Sequence, residues 1–200
     1  MAISNGYCTL ADVKASLRIS DTVDDALIEM AVESASRLID TYCARTFYNM
    51  GTATRYFSAQ DAYYCPINDI QSVTTLKTAV NSNGSFDVTW AVEDFQLEPL
   101  NGFADGVTMP YTGLRALWKY LFPTIGENAL VQVTGVWGWA SVPISVKQAT
   151  VIQASRIFKR NDSPLGVAGF GDMGVLRVGR SLDPDVQQLI DPYRLVRNFA

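Results

Sequence analysis

VQVTGVWGWASVPISVKQATVIQASRIFKR, residues 131–160, is the stretch whose reading decides the fold. Val131 to Trp137 is a β-type run of alternating apolar and small or polar residues. Gly138-Trp139 makes a corner, after which Ser141 and Pro143 open a helix that runs to about Arg160. Proline suits a first helical turn, because its missing N–H would be unpaired there in any case. A sheet is therefore joined to a long helix through a stiff aromatic hinge, and the hinge carries no catalytic apparatus.

Working outward, the N-terminal side of this joint is β-rich. Ala53–Ala59, Ile70–Lys77, Phe86–Trp90 and Asp94–Glu98 are short and rich in β-branched or aromatic residues, and Asn81-Ser82-Asn83-Gly84 reads as a turn between two of them. Residues 99–112, with two glycines and two prolines, read as a loop. Leu114–Phe122 fits a helix by spacing and a strand by position; the strand is preferred. Farther out the pattern turns helical. Thr9 and Asp12 form a capping box for a helix over Leu10 to Leu17. From Val23 to Ala44 the residues Val23, Ala26, Leu27, Met30, Ala31, Ala35, Leu38, Ile39 and Tyr42 fall on one helical face, the expected core face. Asp24, Asp25 and Glu29 sit in its early turns, where the helix dipole favours negative charge.

The long helix after Pro143 has a wide apolar arc including Ile144, Val146, Val151, Ala154, Ile157 and Phe158, with Ile152 set apart. Such an arc covers a core on one side and a neighbouring subunit on the other, or lies wedged within its own chain. Beyond it come Asp162-Ser163-Pro164, a glycine-rich loop, a short strand over Val175–Gly179, and a brief helix capped by Asp183 with Pro184 in its first turn. Pro192 disfavours helix at Asp191, so the brief helix stops there. The fold class expected is α+β: a helical core made of the N-terminal helix pair and the helix 143–160, an inserted antiparallel β region, and an extended C-terminal arm. The expected parts are 1–50, helical; 51–140, β; 141–163, the long helix completing the helical core; and 164–200, loop, short strand, short helix and arm.

Composition narrows the function classes. Two hundred residues allow one domain or two small ones. Hydrophobic residues make up 48% and charged residues 18% of the chain, which suits a folded protein that buries much of its surface. No histidine is present, which removes the commonest general base and metal ligand. Cys8, Cys43 and Cys65 are widely spaced, match no zinc or disulfide pattern, and read as small buried hydrophobes. No catalytic residue, cofactor site or metal site is expected. No apolar run is long enough to cross a bilayer, and MAISNGYCTLADV lacks the features of a signal peptide, so a cytoplasmic site of synthesis is expected. Residues 1–100 hold 6 Lys/Arg and 13 Asp/Glu, a net of −7, whereas residues 101–200 hold 10 and 7, a net of +3. The two halves attract each other either between adjacent subunits or within one chain.

Three candidate chemistries are weak. Gly169 to Gly174 spells G-x-G-x-x-G, but it follows a helix and leads into a strand, the reverse of a dinucleotide site. Trp137 and Trp139, with Tyr63, Tyr64 and Trp90, read as core anchors before they read as a surface for sugars or bases. Arg177, Arg180, Arg194 and Arg197 cluster near the end, yet residues 141–200 hold only 8 Lys/Arg against 5 Asp/Glu, too few for a sequence-specific DNA binder. Ordering residues 176–200 costs more backbone entropy than their apolar side chains return. The arm is therefore expected to be loose in a monomer and to order on partner chains, through Arg177, Arg180, Val186, Leu189, Ile190, Tyr193, Leu195, Val196 and Phe199. Deleting 181–200 is expected to leave a folded chain.

Several runs together resemble one family. Tyr7-Cys8-Thr9-Leu10-Ala11-Asp12-Val13-Lys14, Asp24-Asp25-Ala26-Leu27-Ile28 through Ser36-Arg37-Leu38-Ile39-Asp40, Gly135-Val136-Trp137-Gly138-Trp139 with Val142-Pro143 and Lys147-Gln148-Ala149-Thr150, Asn161 to Gly166, and Leu182-Asp183-Pro184-Asp185-Val186 are similar to the head-to-tail connector (adaptor) proteins of long-tailed bacteriophages, in the same order along the chain. The resemblance implies a structural virion protein at the neck. It would form a dodecameric ring of neighbouring copies beneath the portal protein and link the portal to a downstream neck or tail-completion protein. DNA would pass through its channel without sequence-specific binding, and no membrane would be involved. The β insertion departs from the smallest, all-helical members, so its contacts are open. The alternative reading is a binding module that uses this insertion for a carbohydrate or a host or partner protein.

Overall fold

The computed structural model describes residues 3–79, 85–117, 120–124, 129–160, 167–169, 175–177 and 182–195. The chain divides into two compact units, one made of Met1–Phe47 with Val142–Ala200 and the other of Tyr48–Ser141. The architecture is mixed α+β with an antiparallel sheet.

In the helical unit, α1 spans Leu10–Leu17, α2 Asp25–Cys43, α3 Ile144–Lys159 and α4 Pro184–Ile190. The capping box forms as read: Thr9 Oγ1 accepts from Asp12 N at 3.1 Å, and Asp12 Oδ2 accepts from Thr9 N at 2.9 Å. Lys147 Nζ adds an ion pair to Asp12 at 2.9 Å, tying α3 to the start of α1. Burial alone would raise the Asp12 carboxyl, but the bonds from Thr9 and Lys147 outweigh it and hold the group below its ordinary value. Pro143 stands just before the first residue of α3 rather than within its first turn.

The buried face of α2 differs from the expected one. Ile28, Ala31, Val32, Ala35, Ser36, Ile39 and Cys43 are buried, and the first four of these pack with Val13, Val151, Ala154 and Phe158. Of the residues expected in the core, only Ala31, Ala35 and Ile39 are buried, whereas Val23, Leu27, Met30 and Leu38 are exposed. The helix carries two apolar stripes, and the one holding β-branched Ile28 and Val32 meets α1 and α3. On α3, Val146, Val151, Ala154 and Phe158 are buried as expected, but Ile144 is exposed and Ile157 only half-buried.

In the sheet unit, β1 (Asn49–Phe57), β2 (Tyr64–Thr78), β3 (Val88–Trp90), β4 (Phe95–Glu98), β7 (Tyr111–Ala116) and β8 (Val131–Gly138) form a sheet of order β1-β8-β2-β7-β4, with β3 on β2. Every pairing is antiparallel. Between β4 and β7, β5 (Phe103–Ala104) and β6 (Val107–Thr108) make a small hairpin within the stretch read as loop. Its Asp105-Gly106 turn has positive φ at both residues, the conformation a two-residue hairpin needs. Among the described residues, the ambiguous segment is strand as far as Ala116, and the turn at 81–84 lies outside the described residues.

The aromatic corner explains its own sequence. Gly138 has φ +84°, and a Cβ there would lie 2.1 Å from the Tyr48 carbonyl oxygen. A Cβ on Gly135 would lie 2.1 Å from the Ser72 carbonyl oxygen, so β8 can approach the bulged part of β2 only with glycine at this position. Trp137 and Trp139 are fully buried, and their indole N–H groups donate to Ala53 O at 2.7 Å and Asp69 Oδ2 at 3.0 Å. Trp90 is buried as well and stacks on Phe122, with ring centroids 4.7 Å apart. The three tryptophans are core anchors and offer no open aromatic platform for a carbohydrate.

Candidate interaction surface

The C-terminal segment is built from its cap outward. Asp183 Oδ1 accepts from Asp185 N at 2.8 Å and Pro184 fills the first helical position, so α4 starts where the sequence places it. Asp183 also pairs with Arg156 of α3. Val186, Ile190 and Tyr193 are buried within the helical unit. Tyr193 meets Phe47 edge-on at 5.7 Å, and its carbonyl accepts from Arg45 Nη1 at 3.1 Å. Leu195 N donates to Cys43 O at 2.9 Å, Tyr42 Oη donates to Asp191 Oδ1 at 2.5 Å, and the Arg194 guanidinium lies 5.3 Å from the centre of the Tyr42 ring.

Residues 182–195 are thus packed on the end of α2 and on α3 of their own chain, which corrects the expectation of a loose arm there. The Asp183 cap, the Arg156 ion pair and these cross-links offset backbone entropy that the apolar side chains alone do not return. Val186, Ile190 and Tyr193 are core residues and present no open surface. Leu189 and Leu195 are half-buried. The backbone of Arg177 lies in β10 (Val175–Arg177), which pairs antiparallel with β9 (Val167–Gly169). Arg180, Val196 and Phe199 lie outside the described residues, as do residues 170–174 of the glycine pattern. Those glycines run between two short strands, and a dinucleotide site would instead need them to open a helix.

The N-terminus is clamped against the other side of α2. Tyr7 N donates to Ser36 Oγ at 3.1 Å, the Tyr7 hydroxyl donates to Asp40, and it accepts from Phe47 N at 2.8 Å. Burial and the Asp40 bond push the Tyr7 phenol far above its ordinary value, and burial raises Asp40 too, against the opposing effects of Tyr7 and Arg37. These contacts lock residues 3–8 to α2. All three cysteines are buried, and burial pushes each thiol up to about 12, so none supplies a thiolate nucleophile near neutral pH. Among the described residues no cluster of acids or cysteines could hold a metal ion, and no helix is long and apolar enough to cross a membrane.

Among the described residues, one side of α2 is exposed. Val23 (86% exposed), Leu27, Met30 (53%) and Leu38 line up with exposed Ser34 and Thr41 on the face turned from the core. The sequence held the signal, since Ile28, Val32, Ile39 and Cys43 make an equally apolar second face. Pattern alone does not say which of two such faces is outside.

The described residues thus define a mixed α+β protein of packed cores and an uncovered helix face. Residues 7–82, a stretch that takes in α1, α2 and the first strands, match the family described as "Phage gp6-like head-tail connector protein". Solved structures agree in fold. A chain from "Neck of empty GTA particle computed with C6 symmetry" is 18% identical with a TM-score of 0.57, covering 98% of this chain and 94% of that one. A chain from "Neck of native GTA particle computed with C12 symmetry" is 20% identical with a TM-score of 0.55, covering 98% and 93%. No curated protein matches the chain.

Proposed function

We propose that this chain is a structural adaptor of a phage or phage-like particle, forming a ring beneath the portal at the head–tail junction and continuing the DNA channel toward the tail. The family match over residues 7–82 carries the reading. The fold shared along 98% of the chain with neck components supports it, and those necks were computed with six- and twelve-fold symmetry. The mechanism is assembly by complementary surfaces, with no bond made or broken. The helical unit supplies the ring wall as the connector core. Leu189 and Leu195, together with Arg177, Arg180, Val196 and Phe199, reach the portal or an adjacent copy, while Val186, Ile190 and Tyr193 fix the base from which that segment departs. DNA passes without sequence-specific contact.

The test is genetic. Removing the coding sequence from the particle's genome is expected to leave DNA-filled heads and separate tails, and supplying the full chain in trans restores joined particles. Joined, infectious particles at normal yield without the chain would reject the proposal.

A further inference from the structure

The open face of α2 has a counterpart on the same unit. Viewed down α3, exposed Ile144 (72%), Gln148 and Lys159 and half-buried Ile152 lie on the side away from Val146, Ala149 and Ala154, with Ser155 at the margin where it meets Ser16 of α1 at 3.4 Å. The core faces of α2 and α3 pack against each other through Ile28, Val32, Val151 and Ala154. Their outward faces therefore lie on opposite sides of the helix pair. The stripe Val23–Leu38 and the face Ile144–Lys159 cover equal lengths of chain, each roughly 22 Å long at 1.5 Å per helical residue. Their charges are opposite by region. Residues 1–47 hold 4 Lys/Arg and 7 Asp/Glu, whereas residues 142–200 hold 8 and 5.

We propose, resting on the ring reading above, that the outward stripe of α2, centred on Leu27 and Met30, receives the outward face of α3, centred on Gln148 and Ile152, from a second copy of this chain. The contact joins two different surfaces on opposite flanks of one unit, so it is heterologous. Repeated, a heterologous contact gives a ring when its rotation closes, as the ring reading requires, whereas a contact of α2 with α2 would stop at a dimer. Acidic residues beside the stripe meet the basic α3 half of the neighbour, which fixes which face meets which.

Met30 and Ile152 stand near the midpoints of the two faces, so they meet whichever way the helices run. The test is disulfide formation in assembled particles carrying the full chain with Met30→Cys, Ile152→Cys or both. The native thiols are buried and do not compete. With both substitutions, oxidation is expected to link the chain into a ladder of multiples of 22.0 kDa. Particles assembled from a mixture of the two single variants are expected to give dimers and no ladder, and either single variant alone is expected to give none. Dimers from Met30→Cys alone would overturn the proposal in favour of an isologous contact. Particles that contain the chain but yield no cross-link would also overturn it, showing that another partner or residues 161–181 of the same chain cover α2, while the ring reading stands. Particles that contain no copy of the chain would instead defeat the ring reading itself.

Discussion

The two units expose apolar side chains in different ways. In the sheet unit, Tyr56, Tyr63, Val92, Leu100, Phe103 and Leu121 are exposed but scattered over strands and connections, while the large aromatic residues Trp90, Trp137 and Trp139 are buried. In the helical unit, Leu27, Met30 and Leu38 lie on one helix in one line, with Val23 just ahead of it. Scattered exposed apolar residues are ordinary on a protein surface, whereas a contiguous patch marks an interaction site. Among the described residues, the sheet unit gathers its large aromatic residues into its own core, whereas the helical unit packs its core and also exposes an apolar stripe on α2.

That contrast breaks most readily at the C-terminus. Truncation after residue 181 removes Val186, Ile190 and Tyr193 from the helical core, and loss of cooperative unfolding of that unit is expected, read by amide exchange over residues 3–47. Truncation after Leu195 is expected to leave exchange unchanged. Next in size, Trp137→Ala deletes a fully buried indole that donates to Ala53 O and carries Arg55 over its ring at 4.5 Å. About 3–5 kcal/mol of sheet-unit stability is expected to go, measured by denaturant titration.

Two neighbours on α2 sharpen the comparison further. Ile28→Ala, on the buried face, is expected to cost about 2–5 kcal/mol. Thr9→Ala opens the capping box and is expected to cost about 1 kcal/mol. The Asp12 carboxyl of that box titrates below its unfolded value of about 3.9. Its contribution is present above that pH and lost as the pH falls through the folded value, so the stability gap between the native chain and Asp12→Asn is expected to close in acid. Smallest of all, Leu27→Ala, one residue from Ile28, is expected to change the free chain by less than about 0.5 kcal/mol.

What was legible in the sequence was local. The capping box at Thr9, the Asp183-Pro184 start of α4, the Gly138-Trp139 corner and the limits of α1 depend on residues a few positions apart, and all are found. What was not legible depends on distant partners. β1 begins at Asn49, ahead of the expected Ala53, because Asn49 pairs with Gly138. β2 runs back to Tyr64 through Pro66 and Asp69, where register shifts interrupt the alternation that marks a strand. Which α2 stripe faces inward is settled by α1 and α3, and the burial of Tyr193 by Phe47 and Arg45, far away in sequence. The interface residues first expected in the arm and the uncovered stripe on α2 are two answers to one question, and only the packed structure separates core from surface there.

The central claim, that this chain is a part of the neck, is tested most directly by where it sits. Antibody labelling of purified particles viewed by electron microscopy is expected to place the chain at the single head–tail junction of each particle. Label on the capsid faces or along the tail, or particles free of the chain, would contradict it.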